Sequence, residues 1–341
     1  MFNLIPIPWQ LFWLPFISAG ILGYLLTWGV KALGERLGIY GYATTHQTHT
    51  RPMVRLGGIA IFLAFVLPFI WFLEMTPERI GLLLALGIMF VMGLLDDLLN
   101  LRPIIKVAVQ VVAIAVAVGL GLRIGQVGNP FGGVIILPIG WDIFLSAFWL
   151  WIVTNTINLL DGLDGLAASV SGIAALALFV LSLFVVVNQP ETATIAIILL
   201  GVLLGFLRWN WYPAQIFMGD SGSYTLGLLV GGLAIISGAK LATAALVLGF
   251  PILDLIWAGL RRIRAGRHPF SADREHLHHR LMDVGVPHRN VVLIILGVVA
   301  VFAFISLLSG TLAKLVLLAV AALAMIILIR TIILVQRRKR G

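Results

Sequence analysis

The chain has 341 residues, of which 61% are hydrophobic and 11% charged, and its mean hydropathy is +1.09. That balance excludes a soluble globular protein and places the chain among polytopic α-helical membrane proteins. The net charge of +9 is read as membrane topology rather than nucleic-acid binding, and the absence of cysteine excludes disulfides and thiolate chemistry.

Apolar runs predict eleven transmembrane helices within one membrane domain, residues 1–341. They fall near 11–32, 58–74, 79–95, 103–122, 142–159, 165–187, 192–210, 222–238, 241–261, 290–309 and 312–335. Glycine, proline or charge separates each from the next. The first is long enough to be a span rather than a cleavable leader. An odd number puts the termini on opposite sides. All but Arg79, Arg123, Lys240 and Lys314 of the 23 Lys and Arg then share the side of the C-terminus. By the positive-inside rule the C-terminus is cytoplasmic and the N-terminus external. Between the fourth and fifth spans, "RIGQVGNPFGGVIILPIGW" (123–141) reads as a small external hairpin.

The chain has 14 acids, and most of them fall at predicted cytoplasmic span ends. A carboxylate within a bilayer costs about 2.5–3.5 kcal/mol, so adjacent Asp96 and Asp97 in "VMGLLDDLLNLRP" need water, a cation or a proton. Pairing with Arg102 or Lys106 at a helix end is the plainer reading. "NTINLLDGLDGLA" sets Asp161 and Asp164 three apart, each followed by glycine, with Asn155 and Asn158 as neutral oxygen ligands. Asp164 also suits a helix cap. "FMGDSGSYTLG" places Asp220 and Ser221 at the start of a span, where small residues favour phosphate, or an ordinary cap.

The long basic loop "RAGRHPFSADREHLHHRLMDVG" carries His276, His279 and Arg280 on one helical face. Zinc is disfavoured because His278 points elsewhere and no tetrahedral set completes it. Arginines among the histidines suit anionic oxygens better. Together, the cytoplasmic span ends offer carboxylates for a hard cation such as Mg²⁺, with Mn²⁺ as a substitute, and basic groups for phosphate.

At these residues the sequence resembles the polyprenyl-phosphate N-acetylhexosamine-1-phosphate transferases. "LLDDLLNLRPIIK", "NTINLLDGLDGLA", "FMGDSGS" and "HLHHRL" occur in the family's order. The resemblance is closer to the N-acetylglucosamine-1-phosphate branch than to the muramoyl-pentapeptide branch, because Leu277 interrupts the histidine run. It implies transfer of a sugar-1-phosphate from a UDP-N-acetylhexosamine to polyprenyl phosphate, with Mg²⁺, at the cytoplasmic face of the plasma membrane. It implies Asn158 and Asp220 as metal ligands. Asp96 and Asp97 would orient or deprotonate the lipid phosphate, with Lys106 balancing their charge. Asp161 would support the nucleotide pocket, Asp164 would bond the uracil and Phe217 would stack on it. His276, His278, His279 and Arg280 would contact diphosphate and sugar. His49, Arg55, Gly57 and Gly58 match a further pattern of the family. Gly41 and Ala43 replace an expected Asp and Pro, a departure confined to the first cytoplasmic loop.

A transporter is the alternative of another class, but transporters place acids near mid-bilayer, often with a repeat, and no repeat is visible here. A CDP-alcohol phosphotransferase would need an arginine that "DGLDGLAAS" lacks. A homodimer is an open expectation. Gly227 and Gly231 form a small-xxx-small pair suited either to it or to packing within one chain.

Overall fold

The structure is a computed structural model that describes residues 10–40, 53–184, 187–238, 241–264, 266 and 276–340. The described chain is helical apart from one hairpin. Its helices are α1 (Gln10–Leu37), α2 (Gly57–Phe72), α3 (Pro77–Leu99), α4 (Pro103–Gly119), α5 (Ile139–Leu160), α6 (Leu166–Ser182) and α7 (Pro190–Asn210). There follow α8 (Gly219–Ile236), α9 (Leu241–Val247), α10 (Gly249–Arg264), α11 (Leu277–Asp283), α12 (His288–Leu308) and α13 (Thr311–Arg340). Proline opens α3, α4 and α7, where its missing N–H costs nothing and its fixed φ favours the first turn.

Each predicted span contains a helix. By length and composition α1, α3, α5, α7 and α12 can each cross a membrane, and α9 with α10 can form a sixth, broken span. Helices α2, α4, α6 and the described apolar part of α13 are shorter. The predicted run 241–261 is not one straight helix. It bends by 71° between α9 and α10. Gly249 and Pro251 follow the break. Pro251 has no N–H to continue the helical ladder there.

The predicted hairpin is present. Strand β1 (Gln126–Gly128) pairs antiparallel with β2 (Val134–Ile136), with Val127 opposite Ile135.

Helix α8 is the central element. From Gly219 to Ile235 every residue except Asp220 is buried. It packs on α2, α3 and α5, while α1 packs on α7. Small residues allow the close approach. A Cβ on Gly58 of α2 or Gly93 of α3 would overlap the backbone of α8 at Ser221 and Gly222. A Cβ on Gly227 would stand 2.6 Å from Thr154 Cα of α5, and one on Gly231 3.3 Å from Leu150. The Gly227/Gly231 pair is therefore used inside the chain, against α5. Gly20 and Gly23 of α1 meet Gly201 and Gly205 of α7 in the same way.

Candidate active site

The site is built where helix ends meet. The C-terminus of α3 and the N-terminus of α4 are joined by a tight turn. Asn100 takes a left-handed conformation (φ 51°) and its N–H donates to Asp96 O at 2.9 Å. Pro103 restarts the helix, and one turn later Lys106 folds back onto Asp96. The two form an ion pair, and Asp96 Oδ1 accepts the Leu101 N–H at 2.8 Å. Lys106 Nζ also donates to Asp220 Oδ2 at 3.1 Å.

Asp97 faces the other way. Its Oδ1 accepts the N–H of Asp220 at 2.8 Å, and its Oδ2 accepts the N–H of Ser221 at 3.0 Å and the Ser221 hydroxyl at 2.7 Å. A carboxylate from α3 thus caps the N-terminus of α8, where free N–H groups and the helix dipole favour negative charge. Gly219 makes the approach possible. Its φ is +71°, and an added Cβ would fall 2.5 Å from both Asp97 Oδ2 and the Arg55 carbonyl oxygen.

Asp220 is left at the centre of a polar ring. Lys106 holds one oxygen. Around the other stand Asn158 Nδ2 at 3.5 Å and Arg55 Nη2 at 4.0 Å. Asn158 also donates to Ser223 Oγ at 2.8 Å. Arg55 is delivered by a short backbone ladder. Phe217 N–H donates to Val54 O at 3.0 Å, Gly57 N–H to Phe217 O at 3.0 Å and Gly58 N–H to Met218 O at 2.8 Å. The paired glycines after Arg55 let α2 begin against this segment. Arg55 Nε is buried without a hydrogen-bond partner, an orphan donor beside the carboxylates.

Asp161 follows the end of α5, with its N–H donating to Asn158 O at 3.3 Å. The residue keeps a partial opening to solvent, but protein surrounds its carboxyl. Desolvation holds that carboxyl well above the usual carboxylate range. Arg55 pulls it down, and the charges of Asp220, Asp97 and Asp164 add to the rise. Asp164 is buried, and its Oδ2 accepts the Ala214 N–H at 2.9 Å, tying the Asp161–Asp164 turn to the segment before α8. The Asp164 N–H donates to His288 Nε2 at 3.2 Å, and His288 packs on Tyr212 with ring centroids 5.0 Å apart. Phe217 is half-buried on the same segment.

The structure therefore brings together Arg55, Asp96, Asp97, Lys106, Asn158, Asp161 and Asp220, with Asp164 and Phe217 on the flanking loops. The histidine motif forms a second polar group. His276 lies at the N-terminal boundary of α11, and its Nδ1 stands 3.3 Å from Asp254 Oδ2 on α10 and its Nε2 3.3 Å from Arg262. Asp254 Oδ1 also accepts the Leu277 N–H at 3.2 Å. His279 and Arg280 lie on α11, Arg280 buried. The side chain of His278, and all of His49, lie outside the described residues. Asp254, Arg262, Ser223 and His288 are the members that sequence reasoning gave no role. An acid within an apolar helix was a usable signal for Asp254. A lone histidine opening a helix, as at His288, offers none.

Among the described residues no three His, Asp or Glu side chains form a metal cage. A cage is not what Mg²⁺ asks for. It takes one or two carboxylates and fills its octahedron with water and substrate phosphate. Asp220 and Asn158 meet that requirement. An amide flip turns the Asn158 carbonyl oxygen toward Asp220, and the choice between the two orientations rests on what lies between them.

The family model described as glycosyl transferase family 4 matches residues 79–238. The decaprenyl-phosphate N-acetylglucosaminephosphotransferase of Mycobacterium tuberculosis is 35% identical over 326 residues, 84% of this chain and 80% of the relative. The probable undecaprenyl-phosphate N-acetylglucosaminyl 1-phosphate transferase of Bacillus subtilis is 33% identical, covering 82% of this chain and 80% of its own. The undecaprenyl-phosphate alpha-N-acetylglucosaminyl 1-phosphate transferase of Escherichia coli is 25% identical, covering 86% and 82%.

Proposed function

Because the chain belongs to the polyprenyl-phosphate N-acetylhexosamine-1-phosphate transferases, within glycosyl transferase family 4, we infer that it transfers N-acetylglucosamine-1-phosphate from UDP-N-acetylglucosamine to a polyprenyl phosphate and releases UMP. One observation carries this reading. The matched segment 79–238 holds Asp96, Asp97, Lys106, Asn158, Asp161, Asp164, Phe217 and Asp220, the residues that gather at or beside one set of helix ends.

Phosphoryl transfer asks for positioning and charge neutralisation more than covalent chemistry. The lipid phosphate is already a nucleophile. Direct in-line attack on the sugar-linked phosphorus needs a surface that tolerates two anions, and Lys106 and Arg55 supply cationic groups for it. Mg²⁺, or Mn²⁺ in its place, would be held by Asp220 and Asn158 and would neutralise diphosphate oxygens. An aspartyl-phosphate route finds little support. Both oxygens of Asp97 are occupied by α8, and Asp96 is held by Lys106 and the Leu101 N–H. We assign Asp97 to positioning Asp220, and Asp96 to holding Lys106 at the lipid phosphate. Asp161 and Asp164 shape the nucleotide pocket with Phe217. Arg280 and His279 take the more distant phosphate and sugar.

Eleven spans, an external N-terminus and a cytoplasmic site in the plasma membrane complete the proposal. The Lys/Arg asymmetry supports that orientation. Helix ends bearing the site residues lie at one end of the bundle, and Arg79, Arg123 and Lys314 belong to the opposite helix ends.

The reaction class is tested with donor carrying separate labels in the sugar and in the sugar-linked phosphate. Both labels should enter the organic phase with polyprenyl phosphate present. Entry of the sugar label alone, with UDP leaving, would overturn the assignment.

A further inference from the structure

The hairpin lies at the end of the bundle opposite the carboxylates, because it joins the far ends of α4 and α5. From Ile124 to Trp141 there is no charged residue. Water-facing loops of that length normally carry charge, and large exposed apolar patches mark a partner or a membrane. The hairpin is nonetheless firmly built. Asp142, buried at its root, accepts the Gly125 N–H at 2.7 Å, and Ser146 Oγ accepts the Ile124 N–H at 2.9 Å. Leu137 N–H closes onto Gly125 O at 2.9 Å, and Asn129 Oδ1 accepts the Phe131 N–H at the tip.

This fixed frame turns apolar groups outward. Phe131 at the tip is 91% exposed, Ile136 of β2 is 78% exposed and Val134 52%. The apolar surface does not stop at the strand. Trp141 and Phe144 of α5 are also exposed, and the ring run continues down the helix, with centroids 6.0 Å apart for Trp141–Phe144 and 6.2 Å for Phe144–Phe148. Helix α5 is one of those long and apolar enough to cross a membrane, and this exposed stripe is the face it would turn to lipid. Aromatic rings at that level belong to the boundary between headgroups and acyl chains.

We propose that the hairpin 126–136 is a membrane-interface anchor that inserts Phe131 and Ile136 into the leaflet opposite the carboxylate site. Its occupant is lipid, because the patch is uncharged and continuous with the lipid face of α5. Interfacial amphipathic helices bury their apolar face by about 5–10 Å into the headgroup and acyl boundary, and the hairpin tip would occupy the same zone. The hairpin would then set the height of α4 and α5, whose other ends carry Lys106 and Asn158.

The chain has no cysteine, so a single thiol can be placed cleanly. F131C and, separately, I136C are labelled with an environment-sensitive fluorophore in nanodiscs holding one chain each. Lipids with a nitroxide high on the acyl chain should quench the label strongly, and aqueous iodide weakly. Strong iodide quenching would overturn the proposal, since the tip would then face water. Protection from both quenchers would also overturn it, because the patch would then be covered by protein.

Discussion

Two adjacent aspartates prove to have different partners. Asp97 accepts three hydrogen bonds from the first turn of α8, so its loss leaves buried donors unsatisfied, at about 1–3 kcal/mol each. Asp97→Ala is expected to lower Tm by several degrees and to lose activity together with it. Asp220→Asn keeps the shape of the site. Turnover is expected to fall at least ~100-fold, the scale typical of removing one electrostatic contact to the reacting groups, and Tm to fall as well, because Lys106 and Arg55 lose the charge they face. Thermal unfolding and UMP release on the same preparations check both, and near-normal turnover in the Asp220 variant would remove it from the metal and phosphate site. Asp161 gives a pH-dependent case. Its carboxyl is held above the ordinary 3.8, so the folded state keeps a proton that the unfolded chain has released. Stability therefore falls as pH rises from that ordinary value through the raised one. Asp161→Asn removes the cost, and its Tm at pH 7.5 should exceed the parent's while activity drops. A variant whose Tm is lower at pH 7.5 and unchanged in its pH dependence would contradict the account. That pattern, stability withheld for a working site, is common at active centres.

At the scale of elements, α8 depends on three neighbours that approach it over glycine. Gly227→Val would push a side chain into the Thr154 backbone, and overpacking typically costs about 1–3 kcal/mol. Because α8 carries Asp220, the same variant should lose activity along with Tm. Gly87 of α3 has nothing within 4 Å of an added Cβ, so Gly87→Ala should leave both unchanged or slightly improved. Most helices were legible because apolar runs between proline and glycine carry their own boundaries. The break between α9 and α10 was not, since 241–261 stays apolar on both sides of it and Gly249 and Pro251 lie inside the run rather than at its edge. The hairpin was legible from its glycines and β-branched run.

For the whole molecule, the legible part of the site was its membership. Acids are rare in so apolar a chain, and three of the four motifs at predicted span ends meet in one carboxylate cluster, while the histidine motif forms a second polar group with Asp254 and Arg262. Arg55 entered only through the family resemblance. The wiring was hidden. Asp97 reaches backbone groups 123 and 124 residues away, and His276 is held by Asp254, 22 residues earlier. No periodicity marks such pairings, and a carboxylate that caps a distant helix reads in sequence like one that binds substrate. A cation bound at this cluster should also stabilise the fold by mass action, by about 2.7 kcal/mol at a concentration 100 times its Kd. Adding Mg²⁺ after chelation should therefore raise Tm in the parent and not in Asp220→Ala. An equal rise in both would place the cation elsewhere.

The most direct measurement is UMP release by the purified protein in detergent, with Mg²⁺, undecaprenyl phosphate and UDP-N-acetylglucosamine, beside other UDP-N-acetylhexosamines. Release with UDP-N-acetylglucosamine is expected, and it should require the lipid phosphate and stop on chelation. Release with another donor alone would move the donor assignment. No release with any donor, in a sample that unfolds cooperatively, would contradict the transferase reading itself.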